Sequence, residues 1–309
     1  MKKKLLACLF LIMLLPILIQ TSGCNTTKSF YHSIYKKTRG GTDGIRKRVM
    51  IMPVIDQAGV GEEKTEKMTN ALIELLKKDG QLAVHKADRP SPGALKLRSP
   101  EFGITIDPDL AKRAEELGMS VLITTILNPF EISRKKTGIW PLRKLRQETE
   151  ISFLVNAVNL SNGTMFLSNL ESETIKTPLD EFLLEDEEER KDIPISDELF
   201  NKAVNRLLKD QAETILGSLE SQAWTGRILS VNEKTIIINA GKDVGLPADK
   251  IFEVFGKGDS ILSASGRHLF VLGPKIGELQ TVKVMDTYSA AKPLADGPFR
   301  AGQIIRVKQ

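Results

Sequence analysis

The chain has 309 residues, of which 41% are hydrophobic and 27% charged, a composition typical of a globular protein of one or two domains. Its formal net charge is +5, and Lys2, Lys3 and Lys4 supply three of these charges, so a chain without them carries +2 and gives no argument for nucleic-acid binding. The two cysteines are Cys8 and Cys24, which excludes a disulfide framework and a cysteine-based zinc site in the remainder of the chain.

The first 24 residues have the three parts of a secretory signal. Three lysines precede an apolar run from Leu5 to Ile19, and small and polar residues follow it up to Cys24. The run is shorter than the about 20 residues that a helix needs to cross a bilayer, so we predict a signal rather than a membrane span. A signal cleaved in the ordinary way and an uncleaved anchor remain as alternatives to the lipoprotein signal described next.

The residues Ser22-Gly23-Cys24 resemble the lipobox of bacterial lipoproteins, with Thr21 where that family usually has leucine. The resemblance implies a signal peptide over 1–23 and a mature chain that begins at Cys24 and carries acyl chains, palmitate among them, on this residue. In the same family an Asp after the cysteine favours the inner membrane. Asn25 therefore implies the periplasmic face of the outer membrane.

Residues 24–47 are predicted to be a flexible tether because they lack apolar periodicity and contain Asn, Thr, Ser and Gly. The tether is also basic, and aromatic residues are interleaved with its cations. Two interpretations remain open: contact with an anionic leaflet, or a solvated spacer. The cations are Lys28, Lys36, Lys37, Arg39, Arg46 and Lys47.

An α/β layer is predicted after the tether. The nearly continuous apolar run at 48–55 is typical of a strand buried on both faces. An apolar stripe from Met68 to Leu76 predicts a helix, and a second strand is expected at 81–87. A helix at 107–118 and a buried strand at 121–127 follow. The alternation of strands and helices predicts some parallel pairing.

A hairpin comes next, with an alternating strand at 148–160, an Asn162-Gly163 turn and a returning strand at 164–175. A basic segment, which we interpret as a loop, precedes it. We consider two interpretations of this segment: a surface that contacts phosphate, lipid headgroups or glycan, or a solvated extension of the hairpin. The candidate contact residues are Arg134, Lys135, Lys136, Trp140, Arg143 and Lys144.

An acidic run separates the hairpin from a long helix. Residues 178–195 are predicted to be an exposed linker with no metal role, because a calcium loop needs Asp and Gly at fixed offsets. Ser196 is the predicted N-cap of a helix over 196–222, with acidic residues in its first turn. This helix closes a domain that we delimit at 48–222.

The order of these elements resembles the N-terminal domain of the translocation protein TolB. Related domains occur in the curli secretion lipoprotein, in lipoprotein activators of penicillin-binding proteins and in the middle of flagellar assembly protein T. The resemblance implies a TolB N-terminal-like mixed sheet. It rests on Val49-Met50-Ile51-Met52-Pro53-Val54, Ala71-Leu72-Ile73-Glu74-Leu75-Leu76, the segment from Ala111 to Ile123, the hairpin and the closing helix.

Residues 223–309 contain short strands with glycine turns and no helix, which predicts a small all-β, barrel-like domain. This block resembles the C-terminal domain of flagellar assembly protein T, with Ala248-Asp249 and Gly302-Gln303 where the family usually has Gly-Asp. The separate N-terminal domain of that family is missing, and an anchor with a tether stands in its place. The matching segments are Gly226-Arg227-Ile228, Ile237-Ile238-Asn239-Ala240-Gly241, Val244-Gly245-Leu246, Ile276-Gly277-Glu278-Leu279 and Gly302.

No catalytic or metal-binding motif emerges from the sequence. The phosphate-loop spacing fails at Gly256-Lys257-Gly258, no Gly-x-Ser-x-Gly elbow exists, and no acid is placed to orient Ser265 and His268. We therefore predict a non-enzymatic protein with no cofactor and no metal. The resemblances imply a structural or assembly lipoprotein of the Gram-negative envelope, with flagellar basal-body components as partners and an oligomer or ring left open. The alternative is an accessory lipoprotein of a secretion channel or of a peptidoglycan synthase.

Overall fold

The computed structural model contains two β-sheets, a mixed sheet of seven strands and a closed barrel of six antiparallel strands. This confirms the coarse prediction of a mixed α/β part followed by a small barrel. No helix in the described part of the chain is long and apolar enough to cross a membrane. The structure describes residues 44–88, 113–139, 144–179, 193–232, 235–262 and 268–308.

The strands of the mixed sheet are β1 (Lys47–Ile51), β2 (Ile55–Asp56), β3 (Leu82–Lys86), β4 (Val121–Leu127), β5 (Glu131–Thr137), β6 (Lys144–Asn159) and β7 (Met165–Pro178). The sheet is built around β1 and β6. β1 pairs in parallel with β3 and β4, as the strand–helix alternation predicts, and β6 runs antiparallel to β4, β5 and β7. β4 and β5 lie along one edge of β6, and β7 lies along the other.

Two strand predictions needed correction. The single strand expected at 48–55 is interrupted, because the backbone N–H of Val54 turns to the hydroxyl of Thr69 at 2.9 Å. The basic segment is not a loop: Arg134, Lys135 and Lys136 lie in β5, which pairs with the first half of β6. β6 extends beyond β4, and β5 occupies the edge that would otherwise be left without hydrogen bonds. β5 was missed because its side chains are mostly exposed and show no apolar alternation.

Helices α1 (Glu62–Lys77) and α2 (Asp197–Glu220) bury their apolar stripes against one face of the sheet. The Ser196 side chain accepts a hydrogen bond from the backbone N–H of Leu199, so the predicted N-cap is confirmed. The side chains of β6 that face this core alternate along the strand, as predicted for 148–160. Among the fully or nearly fully buried members of this core are Leu72, Leu76, Ile151, Phe153, Val155, Ala157, Leu207 and Leu208.

The barrel encloses its own core, in which the rings of Trp224 and Phe252 lie with their centroids 5.4 Å apart. Gly241 is required by close packing, since a Cβ there would lie 2.6 Å from the backbone oxygens of Met285 and Asp286. The strands of the barrel are β8 (Thr225–Asn232), β9 (Thr235–Ile238), β10 (Ile251–Leu262), β11 (His268–Val284), β12 (Ser289–Pro293) and β13 (Ile304–Val307). Strand β12 and the length of the β10–β11 hairpin were not predicted.

A polar seam joins the mixed sheet to the barrel. Its centre is Arg48 on β1, whose side chain is only 8% exposed. The Arg48 Nε donates to Asp243 Oδ2 at 2.8 Å, Nη2 donates to the carbonyl oxygen of Thr287 at 2.7 Å, and Nη1 donates to that of Asn239. Because every arm of the guanidinium is used by barrel groups, the seam fixes the sheet against the barrel.

Residues at the end of the predicted tether also belong to the folded part. Ile45 is 1% exposed and packs in the barrel core, and the backbone N–H of Arg46 donates to Val244 O at 2.7 Å. The Trp224 indole donates to Arg46 O at 3.2 Å. The chain therefore enters the folded body beside the barrel.

Candidate functional site

One end of the β5–β6–β7 ribbon carries cations on three neighbouring strands. We call it the basic ribbon end and define it by Arg134–Ile139, Lys144–Glu148 and Lys176–Leu179. The pairing register aligns Lys135 with Arg146, and Glu148 with Lys176. Because side chains alternate between the two faces of a strand, cations occupy both faces. One face carries Lys135, Lys144, Arg146 and Lys176, and the other carries Arg134 and Lys136.

Glu148 forms ion pairs with two of these cations. Its carboxylate lies 2.7 Å from the Lys135 ammonium and 3.7 Å from that of Lys176. The hydrogen bond from Lys135 lowers the pKa of Glu148, and the same bond raises the pKa of Lys135, so the pair is charged at neutral pH. One carboxylate thus holds two lysines on the same face of the ribbon.

Arg146 is placed differently. It lies directly opposite Lys135, an arrangement of like charges that destabilises an antiparallel pair. No carboxylate of the described residues forms an ion pair with Arg146 within 4 Å. Among the described residues of the ribbon end, Glu148 is thus the carboxylate that forms ion pairs with its lysines.

An apolar side chain follows the basic residues of β5. Gly138 has φ +111°, a conformation that favours glycine, and it turns the chain out of the strand. The next residue, Ile139, is 85% exposed. The ribbon end thus combines cations on two faces with an exposed apolar residue.

The structure brings together four of the six residues predicted for surface contact, namely Arg134, Lys135, Lys136 and Lys144. Trp140, Arg143 and the predicted lipidation site Cys24 lie outside the described residues. Sequence reasoning missed Lys176 and Glu148 as members of this surface. The pairing of β6 with β7 places Lys176 opposite Glu148, and the sequence around the basic segment does not predict this pairing.

Outside the ribbon end, Lys47 is a buried cation that connects two elements of the fold. Its side chain donates to the carbonyl oxygen of Leu219 in the last turn of α2 at 2.6 Å, where a cation favours the helix dipole. Burial lowers the pKa of Lys47 to about 8, against the smaller opposing effect of Glu220. The arrangement ties β1 to α2. The described residues contain no cluster of three or more His, Cys, Asp or Glu that could hold a metal ion.

No protein-family model matches the chain, and no curated protein matches it. Solved structures similar to it include the PelC dodecamer from Paraburkholderia phytofirmans, at 10% identity and a TM-score of 0.31, covering 57% of this chain and 89% of that one. The hypothetical protein CT253 from Chlamydia trachomatis has 11% identity and a TM-score of 0.35, and the match covers 57% of this chain and 96% of that one. Lipoprotein GNA1162 from Neisseria meningitidis has 14% identity and a TM-score of 0.28, and the match covers 54% of this chain and 98% of that one. Bacterial lipoproteins are thus among the structural neighbours, but TM-scores this low assign neither family nor function.

Proposed function

We propose that the protein is a non-enzymatic, lipid-anchored accessory protein of the Gram-negative envelope that binds other envelope proteins. The observation that carries the proposal is the secretory signal ending in Ser22-Gly23-Cys24, followed by a tether and a folded body that starts at Gly44. Acyl chains on one cysteine supply stable membrane attachment when more than one chain is present. In this proposal the mature chain begins at Cys24 on the periplasmic face of the outer membrane.

The folded body suits a scaffold. Its mixed sheet, proposed as a domain at 48–222, and its barrel, proposed as a domain at 223–309, are joined by the Arg48 seam. A body of this kind presents two surfaces in a fixed relation to each other. We propose that the sheet and the barrel are separate docking modules for partner proteins.

The flagellar basal body is the first machine to test, because the barrel carries the glycines on which the resemblance to flagellar assembly protein T rests. Three of them show a physical requirement in the barrel. A Cβ at Gly226 would lie 2.6 Å from the Trp224 ring, one at Gly241 would strike backbone oxygens, and one at Gly277 would lie 2.6 Å from the Phe299 ring. The three glycines therefore support the likeness in barrel structure. The proposed flagellar role rests on the sequence resemblance.

The test is a pull-down from bacterial envelopes. The protein, tagged after Gln309, is solubilised in mild detergent, and co-purifying proteins are identified by mass spectrometry, with a Cys24→Ser variant as the control for membrane-dependent partners. Enrichment of basal-body rings and rods, together with loss of motility in a clean deletion, is the expected result. Enrichment of a secretion channel or a cell-wall synthase with normal swimming would replace the flagellar proposal by the alternative. A soluble protein that co-purifies with no envelope component would contradict the proposal.

A further inference from the structure

Strand β7 forms one edge of the mixed sheet. It has 14 residues and, within the described part of the chain, β6 is the strand that pairs with it. No backbone group of the described residues bonds to its outer edge. A row of unpaired N–H and C=O groups on an edge strand is a template for the pairing of another strand.

The hydrogen-bond register shows which residues of β7 present these groups. Ser152 O accepts from Asn128 N on the β4 side, so even-numbered residues of β6 bond toward β4 and odd-numbered ones toward β7. Phe153 lies opposite Glu171. Odd-numbered residues of β7 therefore bond to β6, and even-numbered residues direct their backbone groups outward. The outward set consists of Ser168, Leu170, Ser172 and Thr174.

The outward set has few of the features that keep edge strands from pairing. Natural edges are protected by bulges, prolines, charged side chains or a covering element. The register of β7 is regular from Leu167 to Thr177, and Pro178 is its last residue. The outward set contains no charged residue, and Leu170 within it is 62% exposed. This edge is therefore suited to receive a strand.

Helix α2 restricts the kind of partner that fits. It lies over β7, where Arg206 Nη1 is 3.1 Å from Glu173 Oε1. If a second copy paired its own β7 here, two α2 helices would lie over strands about 4.8 Å apart, whereas packed helices are about 8–10 Å apart. Pairing centred on Ser172 would also place Glu171 of each copy opposite Glu173 of the other. An extended segment with no helix over this edge avoids both costs.

The side chains beside the edge define the chemistry of that segment. A residue opposite Leu170 lies on the face away from α2, where an apolar side chain covers the exposed leucine. A residue opposite Glu171 lies on the same face as α2. The Glu171 carboxylate accepts from the neutral groups of Asn169 and Thr214, at 2.8 and 3.0 Å. A basic side chain opposite Glu171 would add a charge partner to these hydrogen bonds.

We propose that β7 binds an extended segment of a partner protein as an added antiparallel strand, in which apolar residues alternate with basic ones. Antiparallel addition continues the pairing of β5, β6 and β7. The inference rests on the proposed function, because it specifies how the mixed sheet docks a partner. It requires no lipid on Cys24.

The first test measures binding of a fluorescein-labelled peptide of alternating valine and lysine, by fluorescence anisotropy. The protein is the chain from residue 24 with Cys24→Ser. In antiparallel pairing the valines lie opposite the outward set and direct their N–H groups at β7. N-methylation of the valines is expected to weaken binding at least about tenfold, because each loses a hydrogen bond. N-methylation of the lysines, whose N–H groups point away from β7, is expected to change binding less than about threefold.

Variants test the same edge on the protein. Ser172→Pro removes an outward N–H, leaves the bonds between β7 and β6 intact, and is expected to weaken peptide binding at least about tenfold. Its matched control, Ser172→Ala, keeps the N–H and is expected to bind as the parent does. Glu171→Gln is expected to weaken binding about threefold, and Glu131→Gln on β5 is not. Circular dichroism checks the fold, and the methylated peptides test the parent protein should Ser172→Pro fail to fold.

Four results would overturn the proposal. They are no binding of the unmethylated peptide, equal effects of the two methylation patterns, unchanged binding by a folded Ser172→Pro, and a dimer that Ser172→Pro converts to a monomer, which would assign the edge to a second copy. The envelope pull-down separates this inference from the proposed function. Recovery of the same partners with Ser172→Pro and Ser172→Ala would contradict strand addition alone. Peptide binding without any envelope partner would support strand addition and contradict the proposed function.

Discussion

Replacing Arg48 tests whether the seam holds the mixed sheet and the barrel together. Arg48→Met preserves the aliphatic stem and removes every hydrogen bond of the guanidinium. The Asp243 carboxylate loses its cation, and two carbonyl oxygens lose a donor. Breaking a buried ion pair costs about 3–5 kcal/mol. Since the Asp243 side chain is 28% exposed, water can replace part of the lost interaction, and we expect about 3 kcal/mol.

The assay is urea unfolding followed by tryptophan fluorescence and by far-UV circular dichroism. In a Trp140→Phe background the remaining indole, Trp224, packs in the barrel core and donates to Arg46 O, so it reports on the seam. The control is Arg206→Met, which removes a pair with Glu173 whose arginine is 63% exposed, at an expected cost below about 1 kcal/mol.

A double mutant with Asp243→Asn separates the pair from other effects. The coupling energy between the two substitutions is expected to be about 1–3 kcal/mol, because the groups are in direct contact. A cost for Arg48→Met no larger than that of the Arg206→Met control would refute the reasoning, since the seam would then contribute no more than an exposed ion pair.

Three further predictions concern stability. Burial lowers the pKa of Lys47 to about 8, so between pH 8 and 10.5 the unfolded state binds more protons than the folded state. The unfolding free energy of the parent should therefore rise across this window by up to about 3 kcal/mol relative to that of Lys47→Met, as measured by urea titrations at each pH. Parallel plots of unfolding free energy against pH for the two proteins would count against the buried charge. Gly241→Ala, whose Cβ would lie 2.6 Å from two backbone oxygens, should destabilise by about 2 kcal/mol, whereas Gly256→Ala, whose nearest contact is 3.5 Å, should cost less than about 1 kcal/mol by the same titration. Ser196→Ala should cost about 1 kcal/mol in thermal unfolding and Ser221→Ala, at the other end of α2, should cost less; equal effects would remove the N-cap argument.

The elements that the sequence predicts well are those with a strong local pattern. The stripe of α1, the capped start of α2 and the largely apolar β4 are all predicted from side chains a few residues apart. Strand β5 was missed because it is exposed and charged, and it is a strand through its pairing with β6. Short β12 was missed for the related reason that closure of the barrel, rather than its own sequence, supplies its partners.

The candidate surface also contains one part that the sequence predicts and one part that it does not. The cations on β5 and at the start of β6 form a visible run in the sequence. Lys176 and Glu148 join them through a cross-strand register that the run does not encode. The seam was also beyond sequence reasoning, because Arg48 and Asp243 are separated by 195 residues and meet through the packing of two sheets.

The central claim is that Cys24 carries lipid, and metabolic labelling tests it most directly. Growing Gram-negative bacteria that express the tagged protein are fed an alkyne analogue of palmitate, and the purified protein is examined for label. The parent and a Cys8→Ser variant, which alters the one other cysteine of the sequence, are expected to be labelled equally, and Cys24→Ser is expected to carry no label. An unlabelled parent, or label that persists in Cys24→Ser, would contradict the account.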